Sequence, residues 1–173
     1  DEIKNFRLLG SHTPGHPEVD FDAAIETTTG PLGQGISNAV GFAIAERFLN
    51  SKLGDDIDHF TYVFVGDGCL MEGVSHEACS LAGHLKLNKL IAFYDDNNVT
   101  IDGTIDIAFT EDVKARFKAY GWDVIEIDGH DTDAIEKATL QAQQSDKPSF
   151  IACKTKIGYG APGFEEQPKA HGA

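Results

Sequence analysis

The sequence predicts a doubly wound α/β domain, a mostly parallel sheet with helices on both faces. Three observations carry this. Short β-branched and aromatic runs alternate with longer amphipathic segments. The links between them are short, so right-handed crossovers are the natural connections. A chain of 173 residues with 41% apolar and 24% charged content suits one globular domain. A domain of that size buries about 70% of its unfolded surface.

The elements follow in chain order. Residues 2–9 suggest a short helix. Residues 10–31 hold His12, His16, three prolines and many Gly and Thr, and read as irregular loop. A helix runs from Leu32 to about Ser51. Its centre, Ala39 to Ala45, is apolar or Gly throughout, which predicts burial on most sides. Residues 61–65 (TYVFV) form a buried parallel strand ending at Gly66. Residues 72–85 follow as a helix, with Val74, Ala78, Leu81 and Leu85 on one apolar stripe.

Residues 89–94 (KLIAFY) read as the next strand, closed by Asp95, Asp96, Asn97 and Asn98. A helix at 111–119, a strand at 122–127, a helix at 132–144 and a strand at 149–155 complete the pattern. After Lys156 the chain turns Gly- and Pro-rich. Sheets of this kind hold their ligands beyond the carboxyl ends of the strands. Gly66-Asp67-Gly68 and Asp95–Asn98 both stand at such ends.

The charge balance is 28 acidic against 14 basic residues, a net charge of −14. This argues against a nucleic-acid-binding surface, which needs a basic patch to offset phosphates. An anionic ligand would need backbone amides, a helix N-terminus or a metal to hold it. No apolar run approaches the ~20 residues of a membrane helix, and Asp1 to Arg7 do not form a signal peptide. Cys69, Cys79 and Cys153 are too few, and odd in number, for a disulfide framework. A reduced, cytoplasmic setting is expected.

Two constellations carry chemistry. In Gly66-Asp67-Gly68 the glycines permit a sharp turn and a close approach. The Asp67 carboxylate is a hard donor suited to Mg²⁺ or Ca²⁺. Asp-Gly is also ordinary turn chemistry. Asn97-Asn98 stands thirty residues after Asp67, at the end of the next strand. Its amide oxygen is a second hard donor, and the Val99 carbonyl just beyond is a third. Asn also favours turns, because it tolerates left-handed geometry. Together the two elements have the order strand–GDG–helix–strand–DNN, the layout of a thiamine diphosphate signature. A divalent cation there would screen a diphosphate from the acidic protein.

The stretches HTPGHPE (12–18), TTTGPLGQGISNAVG (27–41), GDGCLMEG (66–73), SLAGHLKL (80–87), LIAFYDDN (90–97), TIDG (100–103), AYGW (119–122) and KTKIGYG (154–160) resemble the transketolase family. The match covers nearly all of the chain. It fits transketolase better than the relatives that make deoxyxylulose phosphate; dihydroxyacetone synthase stays open as a near alternative.

The resemblance implies roles residue by residue. Asp67, Asn97 and the Val99 carbonyl match metal ligands. Gly66, Gly68 and Asn97 match the diphosphate-binding turn. Gly30, Pro31 and Leu32 match a loop against the aminopyrimidine, and Ile101 an apolar contact to the thiazolium. His16 and His171 match active-site histidines, the first near the donor sugar, the second near the diphosphate and substrate. Glu72 and Glu77 match acidic residues near a dimer interface that link two active sites. Glu77, beside the apolar stripe, is expected to be paired or functional. His76, His84 and Cys69 read as packing or surface residues.

The implied cofactors are thiamine diphosphate and Mg²⁺, with Ca²⁺ as a possible substitute. The implied substrates are sugar phosphates, and the implied partners are a pyrimidine-binding domain or subunit and a second copy in a homodimer. Residues 1–173 then form a single diphosphate-binding domain without the family's N-terminal segment, pyrimidine-binding domain and C-terminal domain, inactive alone. Two alternatives remain: a non-catalytic cofactor-binding or self-associating module, and one subunit of a two-chain transketolase. Segments 32–49 and 72–85 are the expected sites of exposed apolar surface.

Overall fold

The computed structural model describes residues 2–171. Among these, the strands are β1 (Thr61–Gly66), β2 (Leu90–Asp96), the two-residue β3 (Val99–Thr100) and β4 (Gly103–Thr104), β5 (Asp123–Asp128) and β6 (Ser149–Lys154). The four longer strands form one parallel sheet in the order β1-β2-β6-β5, and β3 and β4 pair as a small antiparallel hairpin. The helices are α1 (Gln34–Leu53), α2 (Asp67–Met71), α3 (Gly73–His84), α4 (Val113–Ala119) and α5 (Thr132–Ala142).

The two central strands are apolar on both sides because both faces are covered. Leu90, Ala92 and Tyr94 of β2, with Phe150 and Ala152 of β6, face the layer of α1, α3 and α4. Ile91, Ile151 and Cys153 face α5 through Ala138 and Ala142. Asp112 caps α4 by accepting from the Ala115 amide at 2.9 Å, and Asp131 caps α5 by accepting from the Asp133 and Ala134 amides. Cys69, Cys79 and Cys153 are free thiols. No helix among the described residues is long and apolar enough to cross a membrane.

Three elements differ from the sequence reading. The helix expected at 2–9 is a single 3-10 turn, Glu2–Asn5. Arg7 then takes a left-handed φ of 65° and donates its amide to the Thr13 carbonyl, which turns the chain away. Secondly, α1 is buried on one side only. Ile36, Ala39, Val40, Ala43 and Glu46 face inward, while Phe42, Ile44, Phe48, Leu49 and Leu53 are exposed. α1 packs against β1 and α3, and nothing within the described residues covers its outer side.

The third difference is in the helix read at 72–85. It starts a turn early, as α2 directly after β1, breaks at Glu72 (ψ 137°) and resumes as α3. Its apolar stripe is not the packed face: Val74, Leu81 and Leu85 are 37%, 45% and 37% exposed. The packed face is Ser75, Cys79, Ala82 and Gly83. Small residues win because the backbones approach closely. A Cβ on Gly83 would stand 1.9 Å from the Tyr120 carbonyl oxygen. The Trp122 indole closes the same contact by donating to the Cys79 carbonyl at 2.9 Å.

Candidate functional site

β1 and β2 end side by side, with Gly66 opposite Asp95. The turn after one therefore adjoins the loop after the other. Gly66 is extended (φ −104°, ψ 178°) and α2 begins at the next residue, so Asp67 stands at a helix start with no linker. The Leu32 side chain packs close over Gly68. A Cβ there would lie 3.1 Å from Leu32 Cδ1.

Asp67 is only 4% exposed. Its Oδ1 accepts the Tyr94 hydroxyl, and its Oδ2 is buried with no hydrogen-bond partner. Burial pushes the carboxyl above the usual aspartate value. The Tyr94 hydroxyl pulls it back, Asp96 pushes it up again, the Asn98 amide lowers it and Asp95 raises it. The same burial, with Asp67 as its hydrogen-bond acceptor, raises the Tyr94 hydroxyl. An unsatisfied buried polar atom costs about 1–3 kcal/mol, more when charged. Such an atom calls for a reason, and a bound ion is one.

The loop after β2 is an Asx turn. Asn97 Oδ1 accepts from the Val99 amide at 2.9 Å, and Asn97 Nδ2 donates to Asp95 Oδ2 at 3.0 Å. Asn98 takes the left-handed geometry, φ 64°. The turn reading of this pair therefore holds at Asn98, while Asn97 Oδ1 keeps a second lone pair. Asp67 Oδ2, Asn97 Oδ1 and the Val99 carbonyl are hard oxygen donors of the kind Mg²⁺ and Ca²⁺ take. The orphaned Asp67 oxygen means that the residues present fit a cation. Among the described residues, no three His, Cys, Asp or Glu side chains form a metal cluster; this donor set has one carboxylate.

The loop before α1 comes to the same place. Leu32 touches the Gly68 position, and the His16 ring carbon Cγ lies 3.8 Å from where a Gly30 Cβ would be. His16, Gly30, Pro31, Leu32 and Gly68 thus adjoin Asp67 in one continuous line. A cavity of about 750 Å³ takes in His16, Gly30, Pro31 and Leu32 of this line, and Cys69. It then runs along α1 and the open edge of β1 past Phe42, Leu49 and Phe64, away from Asp67. Ile101 sits on the tip of the β3–β4 hairpin, 66% exposed.

Other expected residues stand apart. His171 is exposed after the 3-10 turn Pro168–Ala170, and its ring has no hydrogen-bond partner among the described residues. Gly172 and Ala173, which the match around His171 includes, lie outside the described residues. Glu72 is exposed at the break between α2 and α3, against Gly33, whose φ is +83°. Glu77 is exposed and forms no ion pair among the described residues. The burial that would require it to be paired is absent. His84 is exposed, as expected, and His76 packs, with Nδ1 3.0 Å from the Tyr120 hydroxyl.

Tyr94 and Arg116 went unread in the sequence. A hydroxyl closing an apolar strand, on the face of Phe150, is the one signal for Tyr94. Arg116 gives none, because its acceptor is a backbone carbonyl 46 residues away.

A parallel sheet with a cation-compatible turn at adjacent strand ends places this molecule among the α/β domains that bind ligands at that edge. The family model for "Transketolase, thiamine diphosphate binding domain" matches residues 1–173, and the chain belongs to that family. It is 58% identical to Transketolase 1 of Escherichia coli (strain K12) over 179 residues, covering 100% of this chain and 27% of that protein. The transketolase structure from Campylobacter jejuni superposes with a TM-score of 0.91 at 51% identity, over 99% of this chain and 27% of that one. A Pichia stipitis transketolase described in complex with sedoheptulose 7-phosphate gives 0.88 at 49% identity, over 99% and 26%. The chain thus spans about 27% of the length of the curated relatives it matches.

Proposed function

We propose that this chain is the diphosphate-binding part of a transketolase and holds thiamine diphosphate through a divalent cation. The observation that carries the reading is the buried Asp67 oxygen without a partner. Asp67, the Asn97 side-chain oxygen and the Val99 carbonyl hold Mg²⁺, with Ca²⁺ as a substitute. The remaining positions go to water and diphosphate oxygens. Gly66, Gly68 and Asn97 form the diphosphate cradle. Gly30, Pro31 and Leu32 lie against the aminopyrimidine, and Ile101 contacts the thiazolium.

His16, beside Gly30, orients sugar hydroxyls; a neutral imidazole donates and accepts at once. His171 serves the diphosphate and substrate, and Glu72 and Glu77 link paired sites across a dimer interface. When bound, thiamine diphosphate supplies the centre that carries the transferred fragment. The whole protein then moves a two-carbon ketol unit from a ketose phosphate to an aldose phosphate, in the cytoplasm. The sugar phosphate named for the Pichia relative supports that substrate class. A pyrimidine-binding domain or subunit completes the site. The exposed apolar faces of α1 and α3 support a homodimer. The 173 residues alone are expected to show no appreciable turnover, and detecting it would overturn that part of the reading.

Calorimetric titration with thiamine diphosphate, with and without Mg²⁺, tests the site. Binding should require Mg²⁺ and be lost in Asp67→Ala. Binding of equal strength without metal, or in Asp67→Ala, would contradict it.

A further inference from the structure

α2 is five residues long, and its first residue is Asp67. A helix this short has little stability of its own, since isolated helices below about 12–15 residues are marginal. What grips its ends therefore fixes the Asp67 carboxylate. Glu72 leaves helical geometry, so the last carbonyls of α2 have no following turn to bond. Two of them are taken by side chains. The Ser75 hydroxyl donates to the Cys69 carbonyl at 2.5 Å, and Arg116 Nη2 donates to the Leu70 carbonyl at 2.9 Å. A cation at a helix C-terminus also meets the negative end of its dipole.

Arg116 is also held through its second terminal nitrogen and its flat faces, while its Nε is buried with no hydrogen-bond partner. Nη1 lies 2.5 Å from His76 Nε2 and 3.3 Å from Glu111 Oε2. The guanidinium sits 5.8 Å from the Phe109 ring centroid and 6.0 Å from that of Phe117. Its side chain is 12% exposed. One residue of α4 thus grips the end of α2 and the first turn of α3 together.

We propose that Arg116 is a positioning residue for the metal-binding turn, acting through the Leu70 carbonyl to hold α2 and, one turn back, Asp67. This rests on the reading of Asp67 as a metal ligand. Lysine cannot replace it, because a single ammonium lacks the fork that reaches Leu70 and His76 at once.

The test is made in the protein that carries this chain. Thiamine diphosphate affinity at limiting Mg²⁺, and the melting temperature without cofactor, are measured for the wild type, Arg116→Lys, Arg116→Met and Asp67→Asn. Arg116→Lys should weaken binding about tenfold, in the range typical for groups that orient metal ligands, with excess Mg²⁺ restoring it. Arg116→Met should weaken it more. A purely structural Arg116 would lower the melting temperature and leave the affinity of the folded protein within twofold of wild type; that result overturns the proposal. If Arg116→Met does not fold, Arg116→Lys decides, because it keeps the charge and the stem; failure of both to fold also overturns it. Mg²⁺-dependent binding that survives in Asp67→Asn would instead overturn the metal-ligand reading beneath it.

Discussion

At the end of β1 the Asp67 carboxylate is buried, with one oxygen unpartnered; at the end of β2, beside it, the carboxylates are satisfied. Asp95 accepts the Thr155 hydroxyl on one oxygen and the Asn97 amide on the other. Asp96 faces Lys154 at 3.4 Å and Lys114 at 3.9 Å. Both strand ends are acidic, yet only one holds a charge that the fold leaves uncompensated. Acid density does not separate the two strand ends; burial of a carboxylate oxygen without a partner does. Among the described residues only Glu46 and Asp67 are buried acids, so most of the net charge of −14 sits on groups at least partly open to solvent.

This contrast can be broken by substitution. The largest effect belongs to Asp67→Asn. Loss of an orienting group costs about 10–100-fold in metal affinity, so loss of a direct ligand should exceed about 100-fold in Mg²⁺-dependent binding by calorimetry. Tyr94→Phe comes next. It strips the one donor side chain from Asp67 Oδ1, which should lower stability by about 1–3 kcal/mol in urea unfolding. Cofactor affinity should fall with it, by about tenfold. Asp96→Asn is the mildest. Its ion pairs are near the surface, where such pairs contribute about 0–1 kcal/mol. Its unfolding midpoint should stay close to wild type, and its binding should change by less than that of Tyr94→Phe. An Asp96→Asn effect as large as that of Asp67→Asn would erase the distinction between the two strand ends.

The sheet was legible because three of its strands are nearly continuous apolar runs and the fourth, 122–127, keeps β-branched residues between its acids. Residues 61–65, 89–94, 122–127 and 149–155 all became strands, shifted by at most two residues at either end. The helix start at Asp67 was not legible, since Gly-Asp-Gly reads as turn chemistry and a five-residue helix has no periodicity to detect. The packed face of α3 was misread because Ser75, Cys79, Ala82 and Gly83 act through smallness, not hydrophobicity. The candidate site was legible as residue types at spacings. Asp67, Asn97 and Val99 were read as donors because strand ends converge, and His16 and Leu32 came only with the family resemblance. Tyr94 and Arg116 were missed because their partners lie 27 and 46 residues away, and the second is a backbone atom.

The central claim is that the fold keeps a buried, uncompensated carboxylate at Asp67 for a cation. Its folded carboxyl binds a proton more tightly than in the unfolded chain. Its favourable contribution to folding is present below the ordinary aspartate value and is lost as pH rises through the raised one. Thermal melting of the wild type and Asp67→Asn at pH 7, with and without Mg²⁺ and thiamine diphosphate, tests this directly. Without ligands Asp67→Asn should melt higher, with the gap narrowing as the pH is lowered through the aspartate range. With both ligands the order should reverse. A wild type that melts higher without ligands and gains nothing from them would contradict the account.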